Sequence, residues 1–165
     1  MNPGAGITFL GPEDVRTLEE LLTRFLADTN ADCALLADRS GRLLTMIGDA
    51  GTMDRVTFAS LVAGDFAASD QLASLLGEQE FNSLYHQGEV RSMFLADVGG
   101  WAILAALFDG RTTLGMVRLK SKAVVPELAS LFANLATRSR ARADLGLESG
   151  WIAEAESEID RLFAE

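Results

Sequence analysis

The sequence is short of the residues that most catalytic and metal chemistry needs. It has one cysteine, Cys33, and one histidine, His86, so it builds no structural zinc site, iron–sulfur cluster or disulfide framework. Neither a metal nor a cofactor is expected. Any serine triad must draw on His86, and a Cys/His nucleophile pair exists only if Cys33 and His86 meet in space. Cys33 lies in an apolar run and reads as a small core residue, while His86, in LYHQGE, reads as a surface or turn residue. No Gly-rich loop is followed by Lys and Ser/Thr, which excludes a phosphate cradle of the P-loop kind.

Positive charge is also scarce. Lys and Arg number 14 against 24 Asp and Glu, for a formal net charge of -10 at pH 7. That balance argues against a nucleic-acid backbone or an anionic membrane as partner. Long apolar runs are missing too: the longest, residues 101–108, is far short of the roughly 20 residues that span a bilayer. The start, MNPGAGITFL, lacks the basic and apolar regions of a signal peptide. A cytoplasmic protein without membrane insertion is expected. What is there is enough for one folded domain: 165 residues, 48% of them hydrophobic, bury about 70% of the unfolded chain's surface.

The apolar pattern divides the chain into residues 1–11, a Gly-rich start; 12–137, the domain; 138–149, a stretch without periodicity read as a linker; and 150–165, a terminal helix. Within the domain a first helix begins near Pro12, with Val15, Leu18, Leu22 and Phe25 at helical spacing. Strands over 32–38 and 42–47 follow, joined by a Ser-Gly turn. A long helix capped by Thr52 or Asp54 runs to Leu76, where Gly77 stops it. Residues 81–86 are ambiguous. Strands are expected over 89–97, 101–108 and 113–120, the first as a charged edge and the second mid-sheet. A third helix is expected over 124–137, with Pro126 in its first turn.

The second helix carries the informative feature. At 100° per residue, Phe58, Leu61, Val62, Leu72 and Leu76 form one side, expected to face the sheet. The opposite side is Ser60, Ala63, Gly64, Ala67 and Gln71, which has no charge and little bulk. An outward face normally carries Lys, Glu or Arg, and Gly64 inside a helix costs about 1 kcal/mol relative to Ala. A smooth face of this kind lets another backbone approach closely and reads as a docking surface. Asp65 and Ser69 fall within the expected sheet-facing side, which marks either a seam between two copies of the helix or a tilt off the sheet. In the terminal segment, Ile152, Ala155, Ile159, Leu162 and Phe163 share one helical face, with acidic residues elsewhere. A helix this short is marginal alone, so it folds back or docks on a partner.

The order helix, two strands, helix, three strands, helix resembles the Roadblock/dynein light-chain fold, an α+β fold with a five-stranded antiparallel sheet that dimerises through an edge strand. ASLVAGDFAASDQLASLLGE, Tyr85 to Glu89, and LFDGRTTLGMVRLK resemble, within that family, the bacterial polarity and gliding-motility regulators of a Ras-like small GTPase of the MglA type. The ending EIDRLFAE is similar to their C-terminal docking helix.

The resemblance implies a homodimer that activates the GTPase by repositioning the GTPase's own catalytic residues, without being an enzyme itself, and that is recruited to a cell pole. It places Ser60, Ala63, Gly64, Ala67 and Gln71 on the GTPase, with Ile159, Leu162 and Phe163 at a second site there. It places Val90, Arg91, Ser92, Met93 and Phe94 of the edge strand, with Asp65 and Ser69, at the dimer interface. Two other readings fit the same pattern: an adaptor that binds without activating, and a small-molecule sensor of the profilin, GAF or PAS kind. A sensor requires polar groups at inward strand positions, and the strands offer few.

Overall fold

Pro12 fixes the first helical turn, and the Asp14 carboxylate accepts a hydrogen bond from the Gly11 amide at 3.0 Å. The computed structural model describes residues 10–144, and the helix so started, α1, spans Pro12–Thr29. Asn30 ends it in the left-handed conformation, its amide bonded to the Leu26 carbonyl. The chain continues through β1 (Cys33–Asp38), β2 (Leu43–Gly48), α2 (Arg55–Leu75), β3 (Ser83–Gln87), β4 (Ser92–Val98), β5 (Ala102–Phe108) and α3 (Leu114–Asp144). The strands form one antiparallel sheet in the order β2-β1-β5-β4-β3. The architecture is the α+β arrangement the sequence implies.

Alternate strand residues serve two layers. Ala34, Leu36, Phe94, Leu104 and Ala106 pack with Leu18, Leu22 and Phe25 of α1 and with Leu128 and Phe132 of α3. On the other face Leu35, Ala37, Leu95, Ile103 and Ala105 pack with Ala59, Val62, Ala63 and Phe66 of α2. Because β1 and β5 lie between two helical layers, their apolar runs are nearly continuous.

Three expectations are corrected. Residues 113–120 are not a strand. Thr113 opens α3, its hydroxyl accepting from the Met116 amide at 3.2 Å and its carbonyl from the Val117 amide at 3.1 Å. Val117, Ser121, Val124, Leu128, Phe132 and Leu135 then form a single buried stripe, with Ser121 satisfied by its bond to the Val117 carbonyl. Pro126 therefore lies well inside α3 and not in a first turn. The helix also continues to Asp144, through the first part of the stretch read as a linker, and Arg138 is tied to Asp14 of α1 at 2.5 Å. The fifth strand is instead β3, from the ambiguous segment. It pairs with β4 on one side only.

Candidate functional site: the outer face of α2 and the β3 edge

Asp54 sets the start of α2. Its carboxylate accepts from the amides of Val56 at 3.1 Å and Thr57 at 3.3 Å and from the Thr57 hydroxyl at 2.7 Å. The Thr57 hydroxyl and amide and then the Val56 amide hold its pKa below the ordinary carboxylate range. Once started, the helix turns a mixed face inward, three alanines beside Val62 and Phe66. Ala59, Val62, Ala63, Phe66, Ser69 and Ala73 are buried, whereas Leu61, Leu72 and Leu76 are 67%, 57% and 74% exposed. Alanines against Leu35, Ala37 and Ala105 let the helix lie close to the sheet.

Ala63 is accordingly corrected from the outer face to the core. Ser60, Gly64, Ala67 and Gln71 are exposed as expected. A Cβ built on Gly64 meets nothing within 4 Å, so its lack of a side chain answers to no packing within the described residues. Ser60 lies toward the β1–β2 turn, where its hydroxyl donates to the Gly41 carbonyl at 3.4 Å. Gly41 is there for space and conformation: its φ is +90°, and a Cβ on it would come within 2.9 Å of the Ser60 Cα.

The other flank of α2 faces β3. Asp65 Oδ2 lies 2.6 Å from His86 Nε2, and Leu61 and Leu72, four residues before Asp65 and seven after it, share that flank. Asp65 is therefore half-buried against the edge strand, while Ser69 is buried beneath the helix. The next turn is anchored by Arg39, whose guanidinium lies 5.3 Å from the Phe66 ring centroid, 3.1 Å from Asp70 and 3.6 Å from Asp97.

The expected edge strand over 89–97 is corrected as well. Val90 and Arg91 belong to the turn before β4, and Ser92, Met93 and Phe94 lie in β4, which is hydrogen-bonded to both β3 and β5. Phe94 is buried. The free edge on this side is β3, most of whose side chains are exposed. The sequence conceals it because four of its five residues are exposed, Leu84 packing against the cluster under α2 and the Tyr85 ring stacking on Phe108 from the other face. Ile159, Leu162 and Phe163 lie outside the described residues.

The arrangement holds little catalytic machinery. Burial pushes the Cys33 thiol up, away from the thiolate, and His86 bonds Asp65 and not a nucleophile. Among the described residues no group of acidic, His and Cys side chains is placed to hold a metal, and no helix is long and apolar enough to cross a membrane.

Residues 17–108 match the Roadblock/LC7 domain family. Among solved structures the chain is similar to MglB of Myxococcus xanthus, at 35% identity and a TM-score of 0.72 over 77% of this chain and 96% of that one. It is similar to the gliding protein MglB of Thermus thermophilus at 34% identity and 0.72, over 76% and 95%. An MglB described as having a tetrameric arrangement matches at 33% identity and 0.73, over 76% and 95%. With more than half of its length matched to the family and relatives above 30% identity across most of the chain, this protein belongs to the Roadblock/LC7 family.

Proposed function

We propose that the chain is a regulator of a Ras-like small GTPase of the MglA type, acting in cell polarity as a homodimer that accelerates GTP hydrolysis without catalytic residues of its own. The observation that carries this reading is the uncharged outer face of α2, Ser60, Gly64, Ala67 and Gln71, beside an unpaired strand edge. In the dimer the β3 edges pair across a two-fold axis, and Leu61 and Leu72 are covered where the two α2 helices meet. Burying a leucine contributes about 1.5–3 kcal/mol, which gives the exposed leucines a reason to face outward. The paired helices then offer one smooth platform to the GTPase. Binding favours the hydrolysis-competent arrangement of the partner, an effect of differential affinity.

The test adds the purified full chain to a GTP-loaded MglA-type GTPase and follows phosphate release. Faster release, lost with Ala67→Arg while the circular dichroism spectrum is unchanged, is expected. A complex without acceleration supports the adaptor reading instead, and absence of a complex overturns both.

A further inference from the structure

The outer face of α3 has no function in the reading above, and its chemistry differs from the rest of the chain. Leu119, Ala123, Pro126, Ser130, Ala133 and Thr137 recur in alternating steps of four and three, and all are exposed. They form an uncharged seam with the seven-residue spacing of a helix-packing surface. In an acidic protein α3 is basic: it carries Arg118, Lys120, Lys122, Arg138, Arg140 and Arg142 against Glu127 and Asp144. Toward α1 the charges are matched, Lys120 with Asp28, Arg24 with Glu127 and Arg138 with Asp14. Lys122 and Arg140, eighteen residues or five turns apart on the same side of α3, make no ion pair among the described residues.

The segment that follows α3 has complementary properties. Ile152, Ala155, Ile159 and Leu162 repeat in steps of three, four and three, and five acidic residues, Glu154, Glu156, Glu158, Asp160 and Glu165, face a single Arg161. We infer that this segment of the same chain folds back antiparallel on α3, its Ile and Leu side chains filling the small-residue seam at Ser130, Ala133 and Thr137 beside Arg140. The reach fits. As a helix, residues 150–165 span about 24 Å, and with residues 145–149 as the turn after Asp144 they run back along α3 past Thr137 and Ala133 to about Ser130. The family resemblance also implies that Ile159 and Leu162 contact the GTPase, so fold-back and partner docking exclude each other. That consequence, unlike the fold-back itself, rests on the proposed function.

The test uses the full chain carrying Ala133→Cys and Ile159→Cys, treated with a short bismaleimide without any GTPase and resolved by denaturing electrophoresis and peptide mapping. Cys33 is buried and serves as the unreacted control. An intrachain link is expected, with its yield reduced roughly twofold by Arg140→Glu, the scale of one exposed ion pair. A link between two chains, or none, overturns the fold-back whatever the protein's function. In a second arm a GTP-loaded GTPase is added. Loss of the link supports the competition, and an unchanged link in a formed complex overturns it.

Discussion

Asp65 Oδ2 lies 2.6 Å from His86 Nε2, joining the middle of α2 to the free edge strand β3. The contact places one carboxylate at the boundary between the core beneath the helix and the leucines beside it. His86 is half-exposed and Asp65 about a third exposed, so the pair contributes little to the fold of a single chain. His86→Ala is expected to change the unfolding free energy by less than about 1 kcal/mol, measured by urea denaturation at low protein concentration. A larger loss would make the pair a structural element of the fold and remove it from the seam.

Leu61 and Leu72 give the dimer its own test. They stand on the Asp65 flank, beside the edge strand, and both are exposed. Replacing both with Asp removes no core contact, because Ala59, Val62, Ala63 and Phe66 hold the helix to the sheet. Sedimentation is expected to show a folded monomer for the double variant and a dimer for the natural chain. Dimerisation unaffected by both aspartates would place the interface elsewhere.

These two positions also mark where the sequence was legible and where it was not. The strong signals, such as the helical spacing from Leu18 to Phe25 and the continuous apolar runs of β1 and β5, led to the right elements. The phase of α2 does not follow from residue size, since both faces are mixed: Phe66 and Val62 lie inward with Ala59, Ala63 and Ala73, and Leu61 and Leu72 lie outward with Gly64 and Ala67. The strand β3 was hidden because an edge strand with an exposed face needs no apolar alternation. Residues 113–120 alternate well enough to read as a strand, and only the stripe continuing to Leu135 across the polar Ser121 shows the helix.

Gly64 separates stability from docking. Its Cβ position is open, and Ala is preferred over Gly inside a helix by about 1 kcal/mol. Gly64→Ala is therefore expected to raise the urea midpoint by a corresponding amount while weakening GTPase binding measured by titration calorimetry. A variant more stable and equally tight would show that close backbone approach at Gly64 is not required.

Asp38 couples the β1–β2 turn to pH. Its carboxylate accepts from the Ser40 amide at 3.0 Å, the Ser40 hydroxyl at 2.6 Å, the Arg42 amide at 2.9 Å and Arg42 Nε at 3.1 Å. Burial pushes its pKa up, but the Ser40 hydroxyl, the Arg42 amide, the Arg42 charge and the Ser40 amide outweigh it and hold the group below the ordinary range. A folded-state value below the unfolded one, about 3.9, means that the stabilisation is present above that pH. It is lost as the pH falls through the folded-state value. Asp38→Ala is expected to cost about 1 kcal/mol at pH 7, since it removes the acceptor of the turn's exposed donors. The difference from the natural chain should narrow as the pH falls below about 4. Urea denaturation of both proteins across that range measures it, and a constant difference would mean that the turn is held by its backbone bonds and not by the ionised carboxylate.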